Sequence, residues 1–177
     1  MKRLLLVALL AVFGVLVYAT CTDKPPKIQQ VEKSFERTDP NVGGLLLDKD
    51  EWRIVLSGKD WKLTKPDNQQ IVLMAIDNER KQMVLLIKEP TTATFEEYVV
   101  GTVKSMNMVG ASLVSAGMDA LNNEPFFLVA TTTPTMQAWI TVKNGFGYVL
   151  SCGGEPEDTE QFKQRCQEIA NTFQIKD

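Results

Sequence analysis

The chain has 177 residues, a formal net charge of −3 and no histidine. That length suits one domain with a substantial core, and the acidic balance with scattered Lys and Arg argues against an extended nucleic-acid surface. Without histidine the chain lacks the commonest catalytic base and the commonest nitrogen ligand for zinc.

Residues 1–19 open with MKR and continue LLLVALLAVFGVLVYA. A basic start, an apolar run and a small closing residue make an export signal. The run is short for a membrane span, which takes about 20 apolar residues, so an uncleaved anchor is the minor reading. Val17-Tyr18-Ala19 suits cleavage after Ala19. The stretch before Cys21 also resembles the bacterial lipoprotein signal, in which the cysteine becomes the acylated first residue. Thr20 stands where Gly, Ala or Ser is usual, and Tyr18 where Leu is usual. Cys21 is therefore the lipidation candidate, with plain cleavage as its rival. The expected location is the periplasm or an outer-membrane anchor, with release to the medium as a further reading. Residues 20–44 read as a polar tether stiffened by Pro25-Pro26, and residues 45–177 as a single domain.

Along that domain, LLLDKDE and RIVLS suggest short strands, and Trp61, after the Gly58-Lys59-Asp60 turn, plugs a core edge. IVLMAI and QMVLLIK flank the polar turn Asp77-Asn78-Glu79-Arg80, the signature of a β-hairpin, and Pro90 ends it. Thr94 and Glu97 have capping-box spacing. Behind them Phe95, Tyr98, Val99, Thr102, Val103 and Met106 recur at helical intervals. This stripe is a core-facing surface; a Met-lined docking groove is the competing reading. Gly110 terminates the helix. ASLVSAGMDALNN reads as an edge strand, PFFLVA as a strand, and MQAWITVK and FGYVLSC as strands joined by Asn144-Gly145, a strong hairpin signal. Asp158 or Thr159 caps a last helix over roughly residues 159–173. Helices separated by long β stretches predict an α+β fold, an antiparallel β-sheet flanked by helices.

Three cysteines are present, Cys21, Cys152 and Cys166. Cys152 shares a strand face with Phe146, Tyr148 and Leu150. Cys166 shares a helical stripe with Phe162, Ile169, Ala170 and Phe173. If that helix packs on that strand, Cys152 and Cys166 meet as a disulfide, stabilising by roughly 3 kcal/mol in the loop-entropy model. Two buried free thiols are the alternative.

The chain resembles the Mog1/PsbP-like superfamily over about residues 45–175, especially its small bacterial envelope proteins. The resemblance rests on Trp61, TFEEYVVGTVKSM, ALNNEPFFLVAT, KNGFGYVLSCGG and the closing Asn171-Thr172-Phe173. Asn123-Glu124-Pro125 fills a turn where the family's glycine is usual. The resemblance implies an α/β/α sandwich around an antiparallel sheet. It implies no single activity, because the superfamily holds a photosystem accessory subunit, a small-GTPase-binding protein and envelope proteins of no settled role.

No phosphate loop, dinucleotide fingerprint or nucleophile elbow occurs. The acidic runs Asp48, Asp50, Glu51 and Glu155, Glu157, Asp158, Glu160 lack calcium-loop spacing. The most unusual polar stretch is TTTPT. Thr131, Thr133 and Thr135, with Trp139 beside them, are the candidate ligand or partner surface; a β-turn around Pro134 is the plainer reading. The expected function is a non-enzymatic envelope accessory or protein-binding module. Its partners would be membrane lipid through Cys21 and an envelope protein, with no nucleic acid, metal or cofactor. A small-molecule-binding module and a secreted factor are the alternatives.

Overall fold

The computed structural model describes residues 36–39, 44–58 and 60–177. The expected signal segment, most of the tether and Cys21 lie outside these residues.

Antiparallel pairing follows from short turns whose chemistry suits them. β5 (Ile71–Asp77) and β6 (Gln82–Pro90) pair through the Asp77 turn. Buried Asp77 accepts the backbone N–H of Glu79 and Arg80, both at 3.0 Å, and pairs with the Arg80 guanidinium at 2.6 Å. β7 (Leu113–Leu121), β8 (Glu124–Thr132), β9 (Thr135–Lys143) and β10 (Phe146–Gly154) form a meander. The Asn144-Gly145 turn has φ of 53° and 75°. Between β7 and β8 the turn is Asn122-Asn123, with φ of 51° and 67°, so Glu124 and Pro125 already belong to the strand. The turn therefore sits one residue earlier than the resemblance implies. Asparagine tolerates the left-handed backbone that a two-residue hairpin requires.

β10 returns beside β6, and β4 (Trp61–Leu63) pairs with β5. The result is a seven-stranded sheet ordered β4-β5-β6-β10-β9-β8-β7. A second, four-stranded sheet joins β1 (Glu36–Asp39), β2 (Gly44–Asp48), β3 (Trp52–Ser57) and β11 (Gln174–Ile175) in the order β1-β2-β3-β11. Among the described residues two helices complete the α+β fold: α1 (Phe95–Met108) and α2 (Thr159–Ala170).

The sheet's alternation separates two cores. Leu73, Leu86, Leu150, Trp139 and Phe126 face the small sheet and α2, where they meet Leu47, Ile54, Leu56, Phe162 and Phe173. Met74, Leu85, Val149, Ile140 and Val129 face α1, meeting Tyr98, Val99 and Met106. Trp61 belongs to the first core and is 9% exposed.

The last helix stops at Ala170, short of the expected residue 173. Thr172 explains the stop. Its Oγ1 accepts the Val55 N–H at 2.8 Å and lies 3.0 Å from the Val55 carbonyl. This turns the chain so that Gln174 and Ile175 pair with Arg53 and Trp52.

Candidate protein-docking face

The cysteines meet as expected. Cys152 and Cys166 form a disulfide with S–S 2.03 Å, closing a loop of sequence separation 14. Both are buried, and the buried Gln82 amide donates to their sulfurs at 3.0 and 3.4 Å. The bond ties α2 to the sheet and offers no exposed thiol.

The threonine stretch does not make one surface with Trp139. Thr131 is buried and its hydroxyl donates to the Pro134 carbonyl at 2.5 Å. Thr135 donates to the Thr132 carbonyl at 3.3 Å, and Thr133 stands exposed at the tip. Those two hydroxyls close the hairpin. Trp139 is 0% exposed in the core on the α2 side, where its indole N–H donates to Asp119 at 2.9 Å. Thr131 lies on the opposite face, because it pairs with Met136 of the α1-side core.

The acidic runs are likewise separated. Asp48 pairs with Lys176, Glu51 with Lys88, Glu157 with Lys81 and Glu160 with Lys163. Asp158 caps α2 by accepting the N–H of Glu160 and Gln161. Among the described residues no group of three His, Cys, Asp or Glu could hold a metal ion, and no helix is long and apolar enough to cross a membrane.

The arrangement that stands out lies on the α1 side. The capping box is present: Thr94 Oγ1 accepts the Glu97 N–H at 3.3 Å and Glu97 accepts the Thr94 N–H at 2.9 Å. Tyr98 then seats the helix. Its ring lies so close to Gly147 that a Cβ there would come within 2.2 Å of the ring. Its hydroxyl donates to Glu89 at 2.8 Å. Burial pushes the Tyr98 phenol well above the ordinary tyrosine range, and the Glu89 carboxylate adds to that shift.

So seated, α1 rests over β9 and turns Val100, Val103, Lys104 and Asn107 toward β7. With Val99 above and Ala116 and Phe127 below, they line an open groove of about 370 Å³. Met118 is paired with Phe127 and so lies on the same sheet face. Among the described residues every exposed large apolar side chain sits on α1 or β7: Val100, Met108, Leu113, Val114 and Met118. β7 is also a sheet edge. It carries no Lys, Arg or Pro, the usual protections of such an edge. Its one charge, Asp119, accepts the Trp139 indole and the Ala120 N–H at 2.8 Å. Sequence reading identified the edge strand but not this face. The available signal was Val100 and Met108, which lie off the helix's core-facing stripe.

No protein-family model and no curated protein sequence matches the chain. Among solved structures, the chain is similar to cyanobacterial PsbP (CyanoP) from Synechocystis sp. PCC 6803, with a TM-score of 0.56 and 10% identity over 85% of this chain and 98% of that one. It also overlaps a protein from Bacteroides thetaiotaomicron VPI-5482 at a TM-score of 0.43 and 12% identity, over 71% of this chain and 45% of that one. The fold is PsbP-like: an α+β sandwich with antiparallel sheets between two helices.

Proposed function

We propose that the chain is a non-enzymatic accessory module that binds protein through the α1–β7 face, and that it works in the cell envelope as a distant member of the Mog1/PsbP-like superfamily. The supporting observation is that, among the described residues, the exposed large apolar side chains all lie on α1 and β7, the helix and the edge strand that contribute to the groove. Apolar surface left exposed beside a groove is a mark of interaction sites. A polypeptide that adds a strand to the β7 edge gains main-chain hydrogen bonds, while the groove takes its side chains. Because the groove is open, it suits that occupant better than a small molecule, which favours an enclosed pocket.

A photo-crosslinking amino acid at Val100 or Met118, introduced in the cells that express the chain, tests the reading. Both positions should give discrete protein adducts, and the exposed Lys163 position on α2 should not. Adducts no stronger at Val100 and Met118 than at Lys163 would overturn it. The envelope location and the Cys21 anchor rest on the sequence of residues 1–21. Intact mass of the protein from its own cell tests them. A species starting at Cys21 with acyl chains supports the anchor; one starting at Thr20 without lipid supports a soluble exported form.

A further inference from the structure

We propose that the occupant of the β7 edge is a second copy of this chain, paired antiparallel, β7 to β7, about a two-fold axis at Gly117. This inference rests on the reading of the α1–β7 face as a docking surface and names its partner.

The geometry restricts the register. A two-fold axis between antiparallel edge strands stands perpendicular to the sheet, so it keeps both α1 helices on one face. Directly opposed residues must then point to the same face, which allows only pairings of like parity. An axis at Asp119 would set two carboxylates opposite each other, which is unfavourable. An axis nearer Leu113 meets the irregularity between Leu113 and Ser115. An axis at Gly117 uses the regular stretch from Ser115 to Asp119 and opposes complementary groups. Asp119 faces Ser115 of the second copy, a hydroxyl donor for a carboxylate with acceptor capacity to spare. Met118 faces Ala116 of the second copy, which joins the two apolar rows into one floor.

Gly117 itself supports the axis. Glycine weakens a strand interior and commonly marks close approach of another backbone. Nothing among the described residues demands it here. Its φ lies outside the left-handed region, and an added Cβ would meet nothing within 4 Å. Nor do the helices obstruct the pairing. α1 lies over β9, and five strand spacings would separate β9 from its counterpart, about 24 Å. Packed helices need only about 10 Å.

Two substitutions at this open position test the proposal without threatening the fold. In the full chain isolated from expressing cells, G117C should form an intermolecular disulfide on mild oxidation. Opposed Cα atoms about 4.5–5.5 Å apart fall within disulfide reach. The parent protein, which already carries Cys21, sets the background. Sedimentation of the parent should give twice the single-chain mass. G117K, which opposes like charges at the axis, should give the single-chain mass at the same concentrations, with the circular dichroism of a folded chain. Three results would overturn the pairing: a parent that sediments as one chain throughout, G117C no more linked than the parent, or G117K still a dimer. Adducts to a different protein from Val100 and Met118, alongside a single-chain parent, would remove the self-pairing and leave the docking face standing. Absence of any adduct would remove both.

Discussion

Among the described residues, one face of the seven-stranded sheet carries a second sheet, a helix and a disulfide, and the other carries a single helix. The first face buries its large side chains, including Trp139, Phe126, Phe162 and Phe173. The second buries the sheet's centre beneath α1 and, among the described residues, leaves β7 uncovered. Topology explains the difference. α1 links β6, inside the sheet, to β7 at its edge, and it lies across the strands between them. One helix about 10 Å wide covers roughly two strands. Burial is therefore concentrated on the α2 side, and among the described residues the exposed apolar surface on the α1 side.

The contrast predicts where the chain is intolerant. Trp139→Ala should cost about 3–5 kcal/mol, the usual range for removing a large aromatic from a core. It also takes an indole donor from Asp119. Urea unfolding measures this. A loss under about 1 kcal/mol would mean that the α2-side core is loosely packed, which would break the comparison. Replacing Cys152 and Cys166 together by Ala should cost roughly 2–4 kcal/mol, and it leaves the buried Gln82 amide without its sulfur acceptors. An unchanged unfolding midpoint would contradict a bonded pair. On the α1 side the intolerant position is Gly147, where the added methyl of Gly147→Ala overlaps the Tyr98 ring. About 1–3 kcal/mol is expected from such overpacking. In the Tyr98→Ala background the same change should be nearly neutral, because the obstructing ring is gone.

Much of the architecture was legible in the sequence because it depends on local chemistry. Asn144-Gly145, the Thr94–Glu97 box and the strand parity of Cys152 against the stripe of Cys166 each carry their instruction within a few residues. What escaped depends on distant groups. The end of α2 and the existence of β11 are set by Thr172 bonding to Val55, 117 residues away in sequence. The small sheet is assembled from both ends of the domain. The threonine run was conspicuous by composition, yet pairing turned Thr131 and Trp139 to opposite faces. The proposed docking face was hidden for a related reason. Periodicity marks which side of an element is apolar, but not whether a neighbour covers it. Val100 and Met118 look unremarkable until the fold sets α1 and the edge strand β7 on either side of a groove.

The smallest expected stability change therefore discriminates most sharply between the two regions. Val100→Ser with Met118→Ser should move unfolding by no more than about 0.5 kcal/mol, as for exposed positions outside a core. The same pair should abolish the adducts formed by a crosslinker at the neighbouring Lys104. A residue that contributes little to the fold and much to association belongs to an interface, where a few apolar anchors carry most of the binding energy. A loss of several kcal/mol would instead place Val100 and Met118 in the core of the single chain. Neutral stability with undiminished adducts would move the docking surface away from the groove and onto the backbone edge of β7 alone. Strand addition can hold a partner there through main-chain hydrogen bonds without side-chain anchors.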